Sequence, residues 1–363
     1  MILITILVII LILGILIFVH ELGHFIAAKK AGVRVDEFGL GFPPRLFAVK
    51  RGETTYSLNL IPVGGFVKIF GEERGEKAST SKRAFYNKPA WQRAIILFAG
   101  VFMNFLLAAV LLSIVHGLGV PSLVSKGEEG NYRNVQVQII EVAKNSPAEK
   151  SGIKIGDAIL NLSFRQESIQ INEAEEVQDF IAGHLGEEIV FKIKRGEEVF
   201  EKTIIPRADP PEGEGATGIA MAKTGLISYP WYTAIVKGFE TAGRMLVTML
   251  VMFWLLIKTL ILKGTMIGEV AGPVGIAVLT SQFVKLGLIY VLQFAAFFSI
   301  NLAILNALPF PALDGGRLLF LLIEKIKGKP INFKTERLAN SIGFAILILL
   351  IVVITFRDVI KLF

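Results

Sequence analysis

ILITILVIILILGILIFVHELGHFIAAKK, residues 2–30, decides how the rest of this chain is read. The 18 residues before His20 carry no charge, and a run of that length reads as a membrane-spanning helix. HELGH then sets two imidazoles and a carboxylate into the same helix at positions 20–24. Residues i and i+4 share a helical face, so His20 and His24 can reach one cation. Glu21 stands beside that cation, not on it, and can take a proton from an attacking water and hand it on. Each ionisable group inside lipid costs about 2.5 kcal/mol or more, so three in two turns need a compensating reason. A metal supplies one. The plainer alternative is an interfacial helix end with solvated charges.

Working outward, the composition agrees with a membrane setting. The chain has 363 residues, 53% hydrophobic and only 19% charged, with a mean hydropathy of +0.61. A soluble protein of this length carries about 25% charged residues. There is no cysteine, which excludes disulfides and thiolate ligands. The net charge of +7 is a topology signal, not a nucleic-acid footprint. The basic residues cluster between Lys29 and Arg93 and again between Lys325 and Arg337. Residues 1–19 lack the basic start of a signal peptide, so the first helix is read as retained.

Further apolar runs lie at 93–118, 234–262, 286–308 and 341–361. Both basic clusters belong inside, which demands an odd number of crossings between residue 222 and residue 320. The reading is therefore about four spans with both chain ends outside. The stretch 286–308 is favoured as a span, and 231–262, which carries Lys237, Glu240 and Arg244, lies along or partly into the bilayer. TYSLNLIPVGGFVKIFGE (55–72) alternates and predicts a β-hairpin turning at Pro62, Gly64 and Gly65. Residues 123–222 are polar and alternating, and form a soluble domain. The expected divisions are 1–122, 123–222 and 223–363.

A catalytic zinc takes three protein ligands and leaves one position open. No third ligand follows HELGH closely. NALPFPALDGGRLLF (306–320) offers Asp314 in a Pro- and Gly-rich turn at the inner end of 286–308. An Asp before Gly-Gly is ordinarily a turn or cap residue. Here depth favours the ligand reading, because both motifs fall at one level of the expected topology.

HELGH followed far downstream by NxxPxPxLDGG resembles the site-2 protease family of intramembrane zinc metalloproteases, in its bacterial RseP/RasP-type branch. EFGLGFPPRLF (37–47), YSLNLIPVGGFVKIFGE (56–72), AFYNKPAWQRAIILFAG (84–100) and AGPVGIA (271–277) fit the same branch in the same order. The resemblance implies zinc on His20, His24 and Asp314, a catalytic Glu21, and a substrate-holding Asn306. It implies a membrane-associated β-element able to pair with an unwound substrate strand; a plain structural sheet reads as well. It also implies residence in a bacterial inner or cell membrane, with single-pass membrane proteins as substrates. An anti-sigma factor already trimmed by another protease and a signal-peptide remnant are examples. One departure stands out: where the family reads GPxxN this chain reads GVFMN, keeping Gly100 and Asn104 but not the proline. Asn104 is a further candidate for contact with substrate, for orienting a ligand, or simply for helix packing.

SPAEKSGIKIGDAIL (146–160) resembles a PDZ domain, with a helix near 173–184, strands over 187–207 and a closing strand at 215–222. It implies an extracytoplasmic α+β domain that binds a peptide or chain end, or screens out bulky substrates. His116 reads as interfacial and His184 as solvated. The rival reading is a PDZ-bearing membrane scaffold without catalysis; it loses ground because His20, Glu21, His24 and Asp314 are all present.

Overall fold

The computed structural model describes residues 2–72, 81–124, 132–211, 213–264 and 272–360. Arg74 and Lys77 of the first basic cluster, and Ala271 of the AGPVGIA segment, lie outside these. The chain divides into two compact units: Met1–Leu112, Lys237–Gln282 and Leu292–Phe363 make one, and Ser113–Val236 with Phe283–Val291 make the other. In chain order the elements are α1 (Ile2–Lys30), β1 (Val35–Arg51), β2 (Thr54–Ile69), α2 (Ala90–Leu118), β3 (Val120–Leu123) and β4 (Arg133–Val142). There follow α3 (Pro147–Lys150), β5 (Ala158–Phe164), β6 (Glu167–Gln170), α4 (Ala174–Gly183), β7 (Ile189–Arg195), β8 (Glu198–Ile204) and β9 (Ile219–Ile227). The last are α5 (Trp231–Lys263), α6 (Pro273–Leu286), α7 (Leu288–Ala307), α8 (Asp314–Lys327) and α9 (Phe333–Ile360).

Among the described residues, α1, α2, α5, α7 and α9 are long and apolar enough to cross a bilayer. The chain is a polytopic membrane protein. Its first unit is centred on α2 and α7, whose most apolar windows are 44% and 39% buried, against 6% for α5 and α9. Small side chains make that centre possible: Ala108 and Ala109 of α2, Ala296 of α7 and Ala242 of α5 pack around Ile300. Lipid gives helices no hydrophobic reason to associate, so close van der Waals contact between small residues takes over.

The β-element differs from the expected hairpin. The chain reverses at Gly52–Glu53, and β2 runs on as one bent strand through the Pro-Gly stretch. Leu40 pairs with Leu58 on one side and Gly65 on the other, so residues 37–40 lie between the two arms of β2. Pro62 has no N–H for a ladder, and the pairing lapses between Ile61 and Gly65. The proline and glycines bend the strand instead of closing a hairpin. Phe42, Leu46, Phe47, Val49, Leu60 and Ile61 are exposed on this element, an apolar surface suited to lipid or another chain.

Two helices were not expected. Helix α6 begins at Pro273, and proline is at home in a first helical position. Helix α8 begins at Asp314, where LDGG also reads as a turn. The glycines serve close approach: a Cβ on Gly315 would stand 2.2 Å from the Leu308 carbonyl oxygen, and one on Gly316 2.2 Å from that of Phe310.

The second unit carries a seven-stranded antiparallel sheet in the order β3-β9-β4-β5-β7-β8, with β6 on β5. Its core is Val137, Ile139, Ile159, Leu162, Phe180, Ile189, Phe191 and Ile193. The strands run from Val120 to Ile227, a little wider than 123–222. Asp157, wholly buried, is held by Arg195 through Nε at 2.5 Å and Nη2 at 2.6 Å and by the Lys154 N–H. Both remaining histidines sit here, and His184 departs from expectation. His116 is buried with its ring 5.7 Å from Tyr229. His184 ends α4 wedged between Phe164 and Phe180, its Nδ1 donating to the Phe180 carbonyl. An imidazole is flat and half apolar, so a gap between aromatic rings suits it better than water.

Candidate metal centre

Three side chains from distant parts of the chain converge in the first unit. His20 Nε2 lies 3.0 Å from Asp314 Oδ2, His24 Nε2 lies 3.2 Å from the same oxygen, and the two Nε2 atoms are 3.2 Å apart. Among the described residues this is the only cluster of three His, Asp or Glu placed to share an ion. A tetrahedral ion with bonds of about 2.0–2.1 Å sets its ligands roughly 3.3 Å apart, so the observed triangle fits zinc. Two neutral imidazoles aiming lone pairs at one another and at a carboxylate also make little sense unless a cation lies between them.

The outer ring nitrogens are anchored as a metal site requires. His24 Nδ1 donates to the Ile96 carbonyl at 2.8 Å, which leaves Nε2 bare for a ligand bond. His20 Nδ1 faces the side-chain amide of Asn104 at 3.2 Å. Asn104 is wholly buried and its Oδ1 has no partner with the amide as placed. Amide orientation is an assignment; turning it puts Oδ1 on His20 Nδ1–H and satisfies both groups at once. Ser299 ties the same residue to α7 by donating to the Asn104 carbonyl at 2.7 Å.

Helix α2 can come this close because it carries Gly100. A Cβ there would lie 2.5 Å from His24 Nε2 and 2.7 Å from His20 Cε1, too close for either ring to keep its place. Gly23 does the same on α1, against the Ala99 carbonyl. Asp314 is presented by the loop after α7, where Ala312 adopts φ 77° and its N–H donates to Asn340 Oδ1 of α9 at 3.1 Å. Gly343 of α9 lets that helix ride on the Pro311 carbonyl. Asn340 and Gly343 carry no motif, and nothing in the sequence announced them.

Glu21 points into a cavity of about 260 Å³ together with His24, Asp314, Phe66, Val67 and Arg317. Val67 of β2 lines the same cavity, and a Cβ on Gly65 would touch the Glu21 Cγ at 3.7 Å. The second arm of β2 thus runs past the candidate base. Asn306 lies in the last turn of α7, half-buried, eight residues before Asp314. His116 and His184 take no part in the cluster.

A buried two-His, one-carboxylate cradle with a glutamate at its edge, built against a helix long and apolar enough to span lipid, marks a membrane zinc metalloendopeptidase. Comparison with known proteins gives the particular kind: residues 8–350 match Peptidase family M50, and the chain belongs to that family. It is 34% identical over 350 residues to a Clostridium acetobutylicum protein assigned as a zinc metalloprotease, covering 96% of this chain and 95% of that one. It is 30% identical to the regulator of sigma-W protease RasP of Bacillus subtilis, covering 99% of each. With the zinc metalloprotease RasP of Bacillus licheniformis the identity is 32%, again over 99% of each.

Proposed function

We propose that this chain is an intramembrane endopeptidase that cleaves the transmembrane segments of single-pass proteins. Substrates of this kind include trimmed anti-sigma factors and signal-peptide remnants. His20, His24 and Asp314 hold zinc, which when bound acidifies water and polarises the scissile carbonyl. Glu21 accepts a proton from the attacking water and delivers it to the leaving amine. Asn104 fixes the His20 ring and does not meet substrate; Asn306 steadies the substrate beside the cradle. The observation that carries this reading is the triangle of 3.0–3.2 Å between the three ligand atoms.

A peptide bond inside a helix is shielded by its own hydrogen bonds, so the substrate must first unwind. The β2 arm at Gly65–Ile69 borders the cavity and offers an edge for the unwound segment to join. The soluble domain is PDZ-like and extracytoplasmic. It admits a peptide end or screens out bulky ones.

Four helices cross: α1, α2, α7 and α9. The Gly275 N–H at the start of α6 donates to Asp358 Oδ2 in the last turn of α9, at 2.7 Å. With α9 running outward, α6 therefore begins at the outer level. Helix α5 is 33 residues, roughly 50 Å long. The stretch from Lys263 to Gly272 spans about 30 Å at full extension, no more than the hydrocarbon itself. Carrying Lys237, Glu240 and Arg244 in its first half and followed by α6 at the outer level, α5 lies in or along the outer part of a bacterial cell membrane.

The test is zinc content and cleavage of a single-pass substrate in detergent, with wild type beside Glu21→Gln and Asp314→Asn. Glu21→Gln should keep about one zinc per chain and lose cleavage; Asp314→Asn should lose both. Cleavage by Glu21→Gln at the wild-type rate would rule out the assigned base.

A further inference from the structure

The catalytic cavity has a neighbour. A second cavity, of about 440 Å³, shares four wall residues with it: Glu72, Leu97, Ala312 and Arg317. Several of its other polar groups pair with one another, and Arg337 and Ser341 also line it. Arg93 grips Glu324 with both Nη atoms at 3.1 Å, and Tyr86 donates to both oxygens of Glu336 at 2.7 and 2.8 Å. Arg317 of α8 stands in the shared wall and pairs with Glu72, just past β2. Its charge also lies within electrostatic reach of Glu21 on one side and Glu336 on the other.

Peptide hydrolysis changes the charge of this place. Water adds its oxygen to the carbonyl carbon, the C–N bond breaks, and the leaving nitrogen takes a proton. A neutral amide becomes a carboxylate on the N-terminal fragment and an ammonium on the other. The carboxylate forms in a cavity already lined by Glu21, Glu72 and Asp314. Among the described residues lining it, Arg317 is the one permanent cation. A guanidinium binds carboxylates with two parallel N–H donors, so it can exchange one acid for another without being left unpaired.

Resting on the peptidase reading above, we propose that Arg317 is a product-binding residue: it receives the new carboxylate of the N-terminal fragment in exchange for Glu72, and the 440 Å³ cavity behind it takes that fragment's end. Arg317 need not touch the scissile bond to do this, and its effect falls on what happens after cleavage.

Zinc-loaded Glu21→Gln protein in detergent serves as parent, since it cannot cleave. The probes are an acetylated six-residue Ala/Leu peptide with a free C-terminal carboxylate and the same peptide as its amide, with binding read by calorimetry. The parent should prefer the acid by about 10-fold, the worth of one charge-assisted pair. Adding Arg317→Ala should shrink the preference below about 2-fold with zinc unchanged, and Arg317→Lys should fall between. Adding Glu72→Gln instead should raise it, because the guanidinium is then free. An acid preference that survives Arg317→Ala at full zinc would place the carboxylate on the metal alone and overturn the proposal, as would equal binding of acid and amide by the parent. Loss of zinc from the parent would instead sink the metal reading beneath it.

Discussion

Gly100→Ala adds one methyl group to the tightest point of the cradle. The new Cβ would stand 2.5 Å from His24 Nε2 and 2.7 Å from both ring Cε1 atoms. Ordinary contact is about 3.5 Å, so the rings must retreat by roughly 1 Å or α2 must back away. The ligand triangle measures 3.0–3.2 Å on its edges, and a zinc site tolerates only about 0.2 Å in its bond lengths. A misplacement near 1 Å costs about 100-fold in rate even where the groups survive. The variant should therefore lose at least ~100-fold in cleavage and fall well below one zinc per chain. Metal analysis and a cleavage assay on one purified sample read both. Gly243→Ala, whose Cβ would meet nothing within 4 Å, is the control and should match wild type. A Gly100→Ala protein with full zinc and full activity would mean that the two imidazoles do not share an ion where α2 meets α1.

Asn104→Ala should weaken zinc about 10- to 100-fold, measured by competition with a chelator, because His20 then has no partner to hold its ring; unchanged affinity would leave Asn104 a packing residue. Asp157→Asn should destabilise the second unit by about 3–5 kcal/mol by stranding the Arg195 charge, seen as earlier unfolding and easier proteolysis while zinc stays bound. Glu176 accepts the N–H groups of Asn172 and Glu173 at the start of α4, which holds its pKa below the usual glutamate value. A depressed pKa adds stability that is present above the unfolded value, near 4.3, and is lost as pH falls through the lower folded value. Acid unfolding of wild type should thus be steeper between about pH 5 and pH 3 than that of Glu176→Gln, which keeps its acceptor without the charge; coincident curves would exclude the linkage.

Where sequence and structure part company, the reason is local in each case. The Pro62-Gly64-Gly65 stretch reads as a turn because those residues usually make one, but residues 37–40 slot between its arms and keep it extended. LDGG reads as a turn for the same reason, while the loop carbonyls of Ala307, Leu308 and Phe310 claim the glycines for close approach. His184 looked solvated until Phe164 and Phe180 closed on it from strand and helix.

Composition and residue spacing were enough to say that the chain lives in lipid, that HELGH puts His20 and His24 on one helical face with Glu21 beside them, and that Asp314 is the distant acid worth watching. Those are matters of composition, period and residue chemistry, each readable within a few turns. Tertiary structure alone decided that Asn104 backs His20, that Ile96 fixes His24, that Gly100 must have no side chain, and that Arg317 and Glu72 stand in the wall between two cavities. These contacts join residues 72 to 245 positions apart. No local pattern encodes such pairs; they exist only because small residues let α1, α2 and the α7–α8 loop approach to backbone contact around one buried point.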